Sequence, residues 1–344
     1  MTNGPVHVSV FGKTDLGRSR DHNEDTFLVA DLSTGKASLQ PDVREHELGP
    51  RGSLFMVADG MGGAASGELA SAMAADMICR HLMDHWRTDP DNSAERFAFR
   101  MREAVELANG ELFTYAKEHP EVRGMGTTVT AAGVYGPDLY VTQIGDSRAY
   151  LIRDGHASQL TRDQSLTQRL VDAGELTEEE AEHSERRNII LQALGPDANV
   201  KVDLSHQSLR EGDVLVICSD GLSGLVKREE IGEMVGRHPG LPELCGALID
   251  LANERGGPDN ITVVTARFGG DGLAPSDGQA EVGYHTFPVD PADVADEVTQ
   301  AAEAMPEPIV PGVVAATNPG IRPATLVMLA AGLLLLAVLL LFVL

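Results

Sequence analysis

The chain has 344 residues, 42% of them hydrophobic, and a formal net charge of −25. This length predicts one large or two modest domains with a sizeable core. The negative charge argues against nucleic acid as a partner, because a phosphate backbone selects basic surfaces. Three cysteines, Cys79, Cys218 and Cys245, are odd in number and far apart. We therefore expect buried free thiols rather than disulfides or a zinc site.

Strand-like and helical segments fill the chain from residue 6 to about 268. Short runs rich in β-branched and apolar residues predict strands at 6–12, 53–58, 127–135, 139–145, 149–153, 213–219 and 261–268. Apolar spacings of three and four predict helices at 66–87 and 94–118. We also expect a polar helical segment at 164–183 and a final helix at 241–255. Turns at 136–138 and 154–155 join consecutive strands closely, as in antiparallel sheets. The pattern predicts an α+β sandwich with helices on the outer faces of the sheets.

The C-terminal part has a different composition. Residues 269–322 are rich in proline and acidic residues, and Arg322 is their only lysine or arginine. This composition is typical of a disordered linker. Residues 324–344 are uncharged and mostly apolar, long enough to cross a bilayer at about 1.5 Å per residue. We expect a transmembrane tail anchor at 323–344, since a core helix rarely runs this long without a polar face. Arg322 favours the cytoplasmic side for everything before it.

Acidic residues recur where predicted strands meet turns. They lie in the motifs HNED, VADG, IGDS, CSDG and PDNI, which contain Glu24, Asp25, Asp59, Asp146, Asp220 and Asp259. One such motif is compatible with a plain turn, but sheets that bring strand ends together also gather these carboxylates, which repel one another. Oxygen ligands without cysteine select Mg²⁺ or Mn²⁺. Two such ions about 3.5–4 Å apart would hold a hydroxide for in-line attack on phosphorus.

Two further residues suit a site that handles phosphate. Gly60 has no Cβ, so its carbonyl can approach a metal ion closely. Arg20, five residues before Asp25, can capture a phosphate through two hydrogen bonds, although Arg18 has the same chemistry. We expect Arg148 to brace its strand through an ion pair.

Six motifs, in a fixed order, carry a family resemblance: TDLGRSRDHNED, VADGMGG, GMGTTVTA, IGDSRAYLIRDG, CSDGLSGLV and GGPDNITVV. They resemble the metal-dependent protein phosphatases of type 2C, the PPM family of serine/threonine phosphatases, in its bacterial form. The resemblance covers about residues 6–268. It implies a four-layer α-β-β-α sandwich of two mainly antiparallel sheets, and hydrolysis of phosphoserine and phosphothreonine in proteins.

The resemblance also implies roles for the acidic residues. Asp59 bridges two Mn²⁺ or Mg²⁺ ions, the Gly60 carbonyl is a ligand, and Asp220 and Asp259 complete the pair. Glu24 and Asp25 act through metal-bound waters, and Arg20 holds the substrate phosphate. A third, weaker ion uses Asp146 with Asp220. Residues from about 162 to 200 correspond to a flap that shapes substrate access.

Met61 departs from the pattern of animal members, which tend to have a histidine there as the proposed general acid. Methionine cannot donate a proton. The sequence leaves two donors open, a metal-bound water or His22 if its ring points inward.

Three functions fit this sequence. The first is a phosphatase tethered to the cytoplasmic face of a membrane, acting on phosphorylated proteins and opposing a serine/threonine kinase, with membrane-anchored kinases as natural substrates. The second is a catalytically silent adaptor that binds phosphoproteins at the membrane, against which the intact Asp59, Asp220 and Asp259 argue. The third is a small-molecule or polyphosphate phosphatase, which would hydrolyse phosphopeptides poorly relative to small phosphates.

Overall fold

A computed structural model describes residues 4–40, 42–276, 278 and 281–288. They form two antiparallel sheets that pack face to face between two layers of helices, which confirms the predicted sandwich. The six-stranded sheet runs in the order β10-β9-β12-β13-β1-β4. Its strands are β1 (His7–Asp15), β4 (Arg44–Glu47), β9 (Arg148–Arg153), β10 (His156–Gln159), β12 (Val214–Cys218) and β13 (Ile261–Gly269).

The seven-stranded sheet runs in the order β11-β8-β7-β5-β2-β3, with the short β6 paired to β5. Its strands are β2 (Asp25–Asp31), β3 (Lys36–Ser38), β5 (Ser53–Met61), β6 (Gly126–Thr127), β7 (Val129–Tyr135), β8 (Asp138–Ile144) and β11 (Asp203–Ser208). The predicted tight turns are confirmed, since β7 pairs with β8 and β9 pairs with β10.

Two long helices, α1 (Ala64–His81) and α2 (Ala94–Glu118), cover the seven-stranded sheet. A π-helical turn at Leu82–Trp86 extends α1. The Ser93 side chain caps α2 by accepting a hydrogen bond from the Arg96 backbone. The short α5 (Asp220–Ser223), α6 (Arg228–Arg237) and α7 (Leu241–Glu254) cover the other sheet. Both long predicted helices, and the one predicted at 241–255, are confirmed within a few residues.

Strand β5 shows why the apolar run before Asp59 is continuous. Leu54, Met56 and Ala58 pack against α1 and α2, whereas Phe55 and Val57 pack against the other sheet. A strand covered on both faces needs apolar residues at every position. Because side chains alternate with a period of two, Asp59 lies on the face of Phe55 and Val57, which looks into the space between the sheets.

The helix predicted at 164–183 is wrong. The structure has two short helices, α3 (Leu166–Asp172) and α4 (Glu178–Glu182). Gly174, with φ +72°, ends the first, and Thr177 begins the second with a capping box. The cysteines are buried and free, as expected.

The packed domain continues past the boundary predicted at residue 268. Leu273 is buried between the sheets. Residues 281–288 lie along the free edge of β11, joined by two backbone hydrogen bonds of 2.9 Å, from His206 to the His285 carbonyl and from Phe287 to the Leu204 carbonyl. The sequence missed this because two apolar anchors, Leu273 and Phe287, are isolated among prolines and acidic residues.

No helix in the described ranges has both the length and the hydrophobicity that spanning a bilayer requires. The rest of the predicted linker, from residue 289, and the predicted anchor at 323–344 lie outside the described residues.

Candidate active site

Asp25 and Asp59 lie opposite each other at one end of the seven-stranded sheet. They are register partners on the antiparallel strands β2 and β5. Asp25 shares the inward face of Phe27 and Val29, so both carboxylates point between the sheets. Backbone hydrogen bonds hold the end of β5, since Thr128 N–H donates to the Asp59 carbonyl at 2.8 Å.

The six-stranded sheet supplies the facing groups. Ser219 follows β12 on the inward face of Leu215 and Ile217, and its hydroxyl donates to Asp25 Oδ2 at 2.8 Å. The Thr262 N–H donates in turn to Ser219 Oγ at 3.0 Å. Asp220 is the first residue of α5. Burial raises its pKa, and a hydrogen bond with the adjacent Asp59 carboxyl lowers that pKa in part. The ends of the two sheets therefore meet at these carboxylates.

Arg20 and Asp259 meet at the mouth of the site. Arg20 NH2 lies 2.8 Å from Asp259 Oδ2, and the Arg20 side chain is 46% exposed. The hydrogen bond to Asp259 raises the pKa of Arg20, so its charge is fixed. Arg20 is thus the predicted arginine that the structure brings to the acidic residues. Arg148 instead binds Asp163, with NH2 to Oδ2 at 2.6 Å, which confirms its bracing role.

Burial and mutual repulsion raise the pKa values of the carboxyl groups. Desolvation, with Asp220 and Asp259 nearby, raises the pKa of Asp25 to about 7. Desolvation, with Asp220 and Asp163 nearby, raises the pKa of Asp146 to about 8. The pKa of Asp59 lies well above its usual range, because of desolvation first and then Asp25. Removing a carboxyl group from water and placing it beside others both disfavour the anion.

The donor set fits a hard cation. Asp25 Oδ1, Asp146 Oδ1 and Asp220 Oδ1 are buried without a hydrogen-bond partner, and such oxygens are costly unless something satisfies them. Across the described ranges, no three acidic, histidine or cysteine side chains are already arranged as a finished metal-binding group. Rotation of the carboxylates is therefore needed to gather their oxygens around an ion. The orphaned oxygens can turn toward an ion, because side-chain torsions adjust easily whereas strand register does not.

Gly60 is required by close packing of the backbone. A Cβ at this position would lie 2.1 Å from the Gly67 carbonyl oxygen and 2.6 Å from that of Glu24. Glu24 is partly buried there, and desolvation raises its pKa. Gly60 thus lets the first turn of α1 approach the end of β5.

A cleft of about 560 Å³ opens beside the acidic cluster. Arg20, Asp146, Asp220 and Asp259 line it. Side chains from the predicted flap, between Ser165 and Asn188, line it as well. The cleft is large enough for a phosphorylated side chain together with its flanking residues.

Sequence reasoning missed Ser219, Thr262 and Asn260. Asn260 accepts a hydrogen bond from the Glu24 N–H at 2.9 Å. Ser219 and Asn260 stand beside Asp220 and Asp259 in their motifs, and Thr262 lies in the strand predicted at 261–268. The alternation of β13, and that of β12 continued one residue past Cys218, would have placed Thr262 and Ser219 on the inward face.

Comparisons with known proteins agree on the family. The family model described as protein phosphatase 2C matches residues 38–255. The serine/threonine phosphatase stp of Listeria monocytogenes is 37% identical over 253 residues, 73% of this chain and 92% of that protein. The chain belongs to the protein phosphatase 2C family. It is a metal-dependent protein serine/threonine phosphatase that uses Mn²⁺ or Mg²⁺.

Solved structures of this family share the fold. The crystal structure of the Mycobacterium tuberculosis phosphatase PstP/Ppp has a TM-score of 0.64 and 34% identity, covering 78% of this chain and 99% of that one. The catalytic domain of PstP in complex with two manganese ions has a TM-score of 0.62 and 34% identity, covering 77% of this chain and 99% of that one.

Proposed function

We propose that this phosphatase hydrolyses phosphoserine and phosphothreonine in proteins at the cytoplasmic face of a membrane, with the acidic cluster between the sheets as its binuclear metal centre. One observation carries the site assignment. Three carboxylate oxygens, on Asp25, Asp146 and Asp220, are buried without partners beside a cleft whose mouth holds Arg20.

The residues take the following roles in this proposal. Asp59, the Gly60 carbonyl, Asp220 and Asp259 would hold two Mn²⁺ or Mg²⁺ ions, and Asp146 with Asp220 would hold a third. Glu24 and Asp25 would contribute through water. When bound, the ions supply a nucleophile from water at neutral pH and neutralise charge on the phosphoryl group. Arg20 binds phosphoryl oxygens at the mouth of the cleft and orients phosphorus for in-line attack.

The leaving serine or threonine oxygen needs a proton. Met61 follows Gly60 on β5 and cannot supply one. His22 is exposed and lies near Glu24, whose pKa is raised by burial and lowered in part by His22. The backbone carbonyl of His22 is fixed by Asn260. The proton therefore comes from water or from His22. If His22 is the donor, its loss should slow only those substrates whose leaving oxygen needs a proton.

The membrane tether is supported by sequence. Residues 324–344 carry no charge, and the composition of 289–322 predicts a linker with a root-mean-square span of roughly 30 Å. Confinement within that distance raises the effective concentration of membrane-bound phosphoproteins. Membrane serine/threonine kinases are the proposed targets, which this phosphatase would oppose.

The site assignment is tested by hydrolysis of a phosphothreonine peptide and of p-nitrophenyl phosphate. The parent protein should turn over both with Mn²⁺ and neither with chelator. Asp220→Asn should lose at least a hundredfold in kcat with its fold intact, whereas Asp250→Asn, the same change on the exposed face of α7, should retain full activity. Turnover by Asp220→Asn at the parental rate would refute the assignment.

The tether is tested by comparing the full chain with one that ends at residue 288. Both should hydrolyse the soluble peptide at the same rate. The shorter chain should dephosphorylate a membrane-anchored phosphoprotein in vesicles more slowly. Equal rates on the vesicle substrate would refute the tether.

A further inference from the structure

Asn260 joins the loop between β1 and β2 to the start of β13. Its side chain is almost fully buried, at 4% exposure, and makes three hydrogen bonds to that loop. Oδ1 accepts from the Glu24 N–H at 2.9 Å, and Nδ2 donates to the carbonyls of Leu16 and His22, each at 3.0 Å. One partner donates and two accept, so only one orientation of the amide satisfies all three.

The backbone of Asn260 contacts two of the acidic loops. Its N–H donates to Asp259 Oδ1 at 2.8 Å, and Asp259 Oδ2 accepts from Arg20 at 2.8 Å. A Cβ on Gly221 would lie 1.9 Å from the Asn260 carbonyl oxygen, so the turn after Asp220 packs directly on this peptide. One residue therefore touches the loops of Arg20, Asp220 and Asp259.

We infer that Asn260 is a positioning residue that holds the Arg20 loop in register with Asp259 and so sets the affinity of the site for phosphate. Arg20 lies in the loop between Leu16 and His22, whose carbonyls accept hydrogen bonds from the Asn260 side-chain amide. Arg20 is half exposed, so its own burial does little to fix it. The inference rests on the proposed role of Arg20 as the phosphate-binding residue.

The test is competitive inhibition by inorganic phosphate, measured with saturating Mn²⁺ and a phosphothreonine peptide. Asn260→Ala should raise the phosphate inhibition constant and the KM about tenfold, the scale of one weakened charge-assisted hydrogen bond. Neither constant depends on how much enzyme is folded, so partial unfolding lowers only the apparent kcat. Asn260→Ser, a milder change, serves the same test if the alanine variant does not fold.

Asn253→Ala is the matched control. Asn253 is also a buried asparagine, and it donates to Asp15 Oδ1 at 3.0 Å on the β1 side of the same loop. Its loss should lower the melting temperature without changing the phosphate inhibition constant. If Asn253→Ala raises the constant as much as Asn260→Ala does, general loosening of the loop explains the effect and the inference fails.

The double variant identifies the route of the effect. Adding Asn260→Ala to Arg20→Ala should raise the inhibition constant no further than Arg20→Ala alone, because positioning is lost with the group positioned. Multiplicative effects would show that Asn260 acts independently of Arg20 and would overturn the inference. An unchanged constant in Asn260→Ala with a raised one in Arg20→Ala also overturns it. An unchanged constant in Arg20→Ala overturns instead the proposed role of Arg20.

Discussion

Replacing Asp59 with asparagine should inactivate the phosphatase and, in the presence of a chelator, stabilise its fold. Asparagine keeps the shape of aspartate but carries no charge. Asp59 faces Asp25 across β2 and β5, and its pKa is raised by burial first and then by Asp25, Asp220, Asp146 and Asp259. The amide removes this repulsion together with the ligand proposed to bridge two ions.

The size of the effect follows from the register. Direct partners on antiparallel strands have Cβ atoms about 5 Å apart, and two like charges at that distance cost about 3 kcal/mol at an effective dielectric constant of about 20. Partial protonation reduces this cost, so we expect a gain of about 1–3 kcal/mol. At about 2–4 °C per kcal/mol, the melting temperature should rise by roughly 2–12 °C.

The stability gained by Asp59→Asn should increase as the pH rises. The pKa of Asp59 is raised in the folded state above its unfolded value of about 3.9. Folded protein therefore keeps a proton that unfolded protein releases, and stability falls as pH rises from about 4 through the folded pKa. The amide of the Asp59→Asn variant does not titrate and cannot show this loss. The advantage of the variant over the parent should therefore be small at pH 5 and largest at pH 8.

Calorimetry with EDTA at pH 5 and pH 8, on the parent, Asp59→Asn and Asp250→Asn, measures the gain. Peptide hydrolysis with Mn²⁺ measures the activity. The electrostatic reasoning is refuted if Asp59→Asn melts below the parent at pH 8, or if its gain is the same at both pH values. Parental turnover by the variant would refute the role of Asp59 in the reaction.

Three other predictions concern the borders of the site and the domain. A chain ending at residue 270 should be about 2–5 kcal/mol less stable in urea than one ending at 288, because Leu273 and Phe287 lose their burial; equal midpoints would contradict the packing. Gly60→Ala should lower kcat at least tenfold, because the added Cβ would clash with the α1 backbone. Gly110→Ala, on the open surface of α2, should leave kcat unchanged. Equal activity in the two variants would contradict the need for close packing at Gly60. His22→Ala should change the hydrolysis rates of p-nitrophenyl phosphate and of the phosphothreonine peptide by the same factor, because water reaches the exposed His22 ring and can supply the proton in its place. A loss of rate confined to the peptide, whose leaving oxygen needs the proton, would identify His22 as the general acid.

The acidic residues stand out in the sequence because each lies at an end of a strong strand signal. Apolar runs end directly before Asp59 and Asp220, so the sequence shows both the strand and the point where it ends. The helix at 94–118 was equally clear, because its apolar face and Ser93 cap agree. Segments that depend on distant partners could not be predicted. Residues 281–288 are held by the edge of β11, which nothing in their own composition reveals.

The positioning residues were hidden for a related reason. Asn260, Ser219 and Thr262 are ordinary polar residues next to motifs, and each works through a partner far away in the sequence. Ser219 binds Asp25, 194 residues earlier, and Asn260 binds Glu24, 236 residues earlier. A sequence shows which groups carry charge, because charge is a property of the residue type. It does not show which hydrogen bond orients them, because that depends on the sheets coming together.

The same strand ends explain why the site destabilises the metal-free fold and why it is specific for a cation. Along most of their length the sheets bury Phe55, Val57 and Ile217 against each other, and this apolar layer excludes water. Where the layer ends, alternation continues, so the next inward positions on β2 and β12, Asp25 and Ser219, meet across the gap. Asp25 is thereby desolvated, which raises its pKa, whereas hydrogen bonds with Thr262 and Ser219 lower that pKa in part. Desolvation outweighs these hydrogen bonds, so unfavourable energy remains for a cation to relieve. A substitution that packs this gap with apolar side chains should therefore stabilise the metal-free fold as it abolishes the phosphatase.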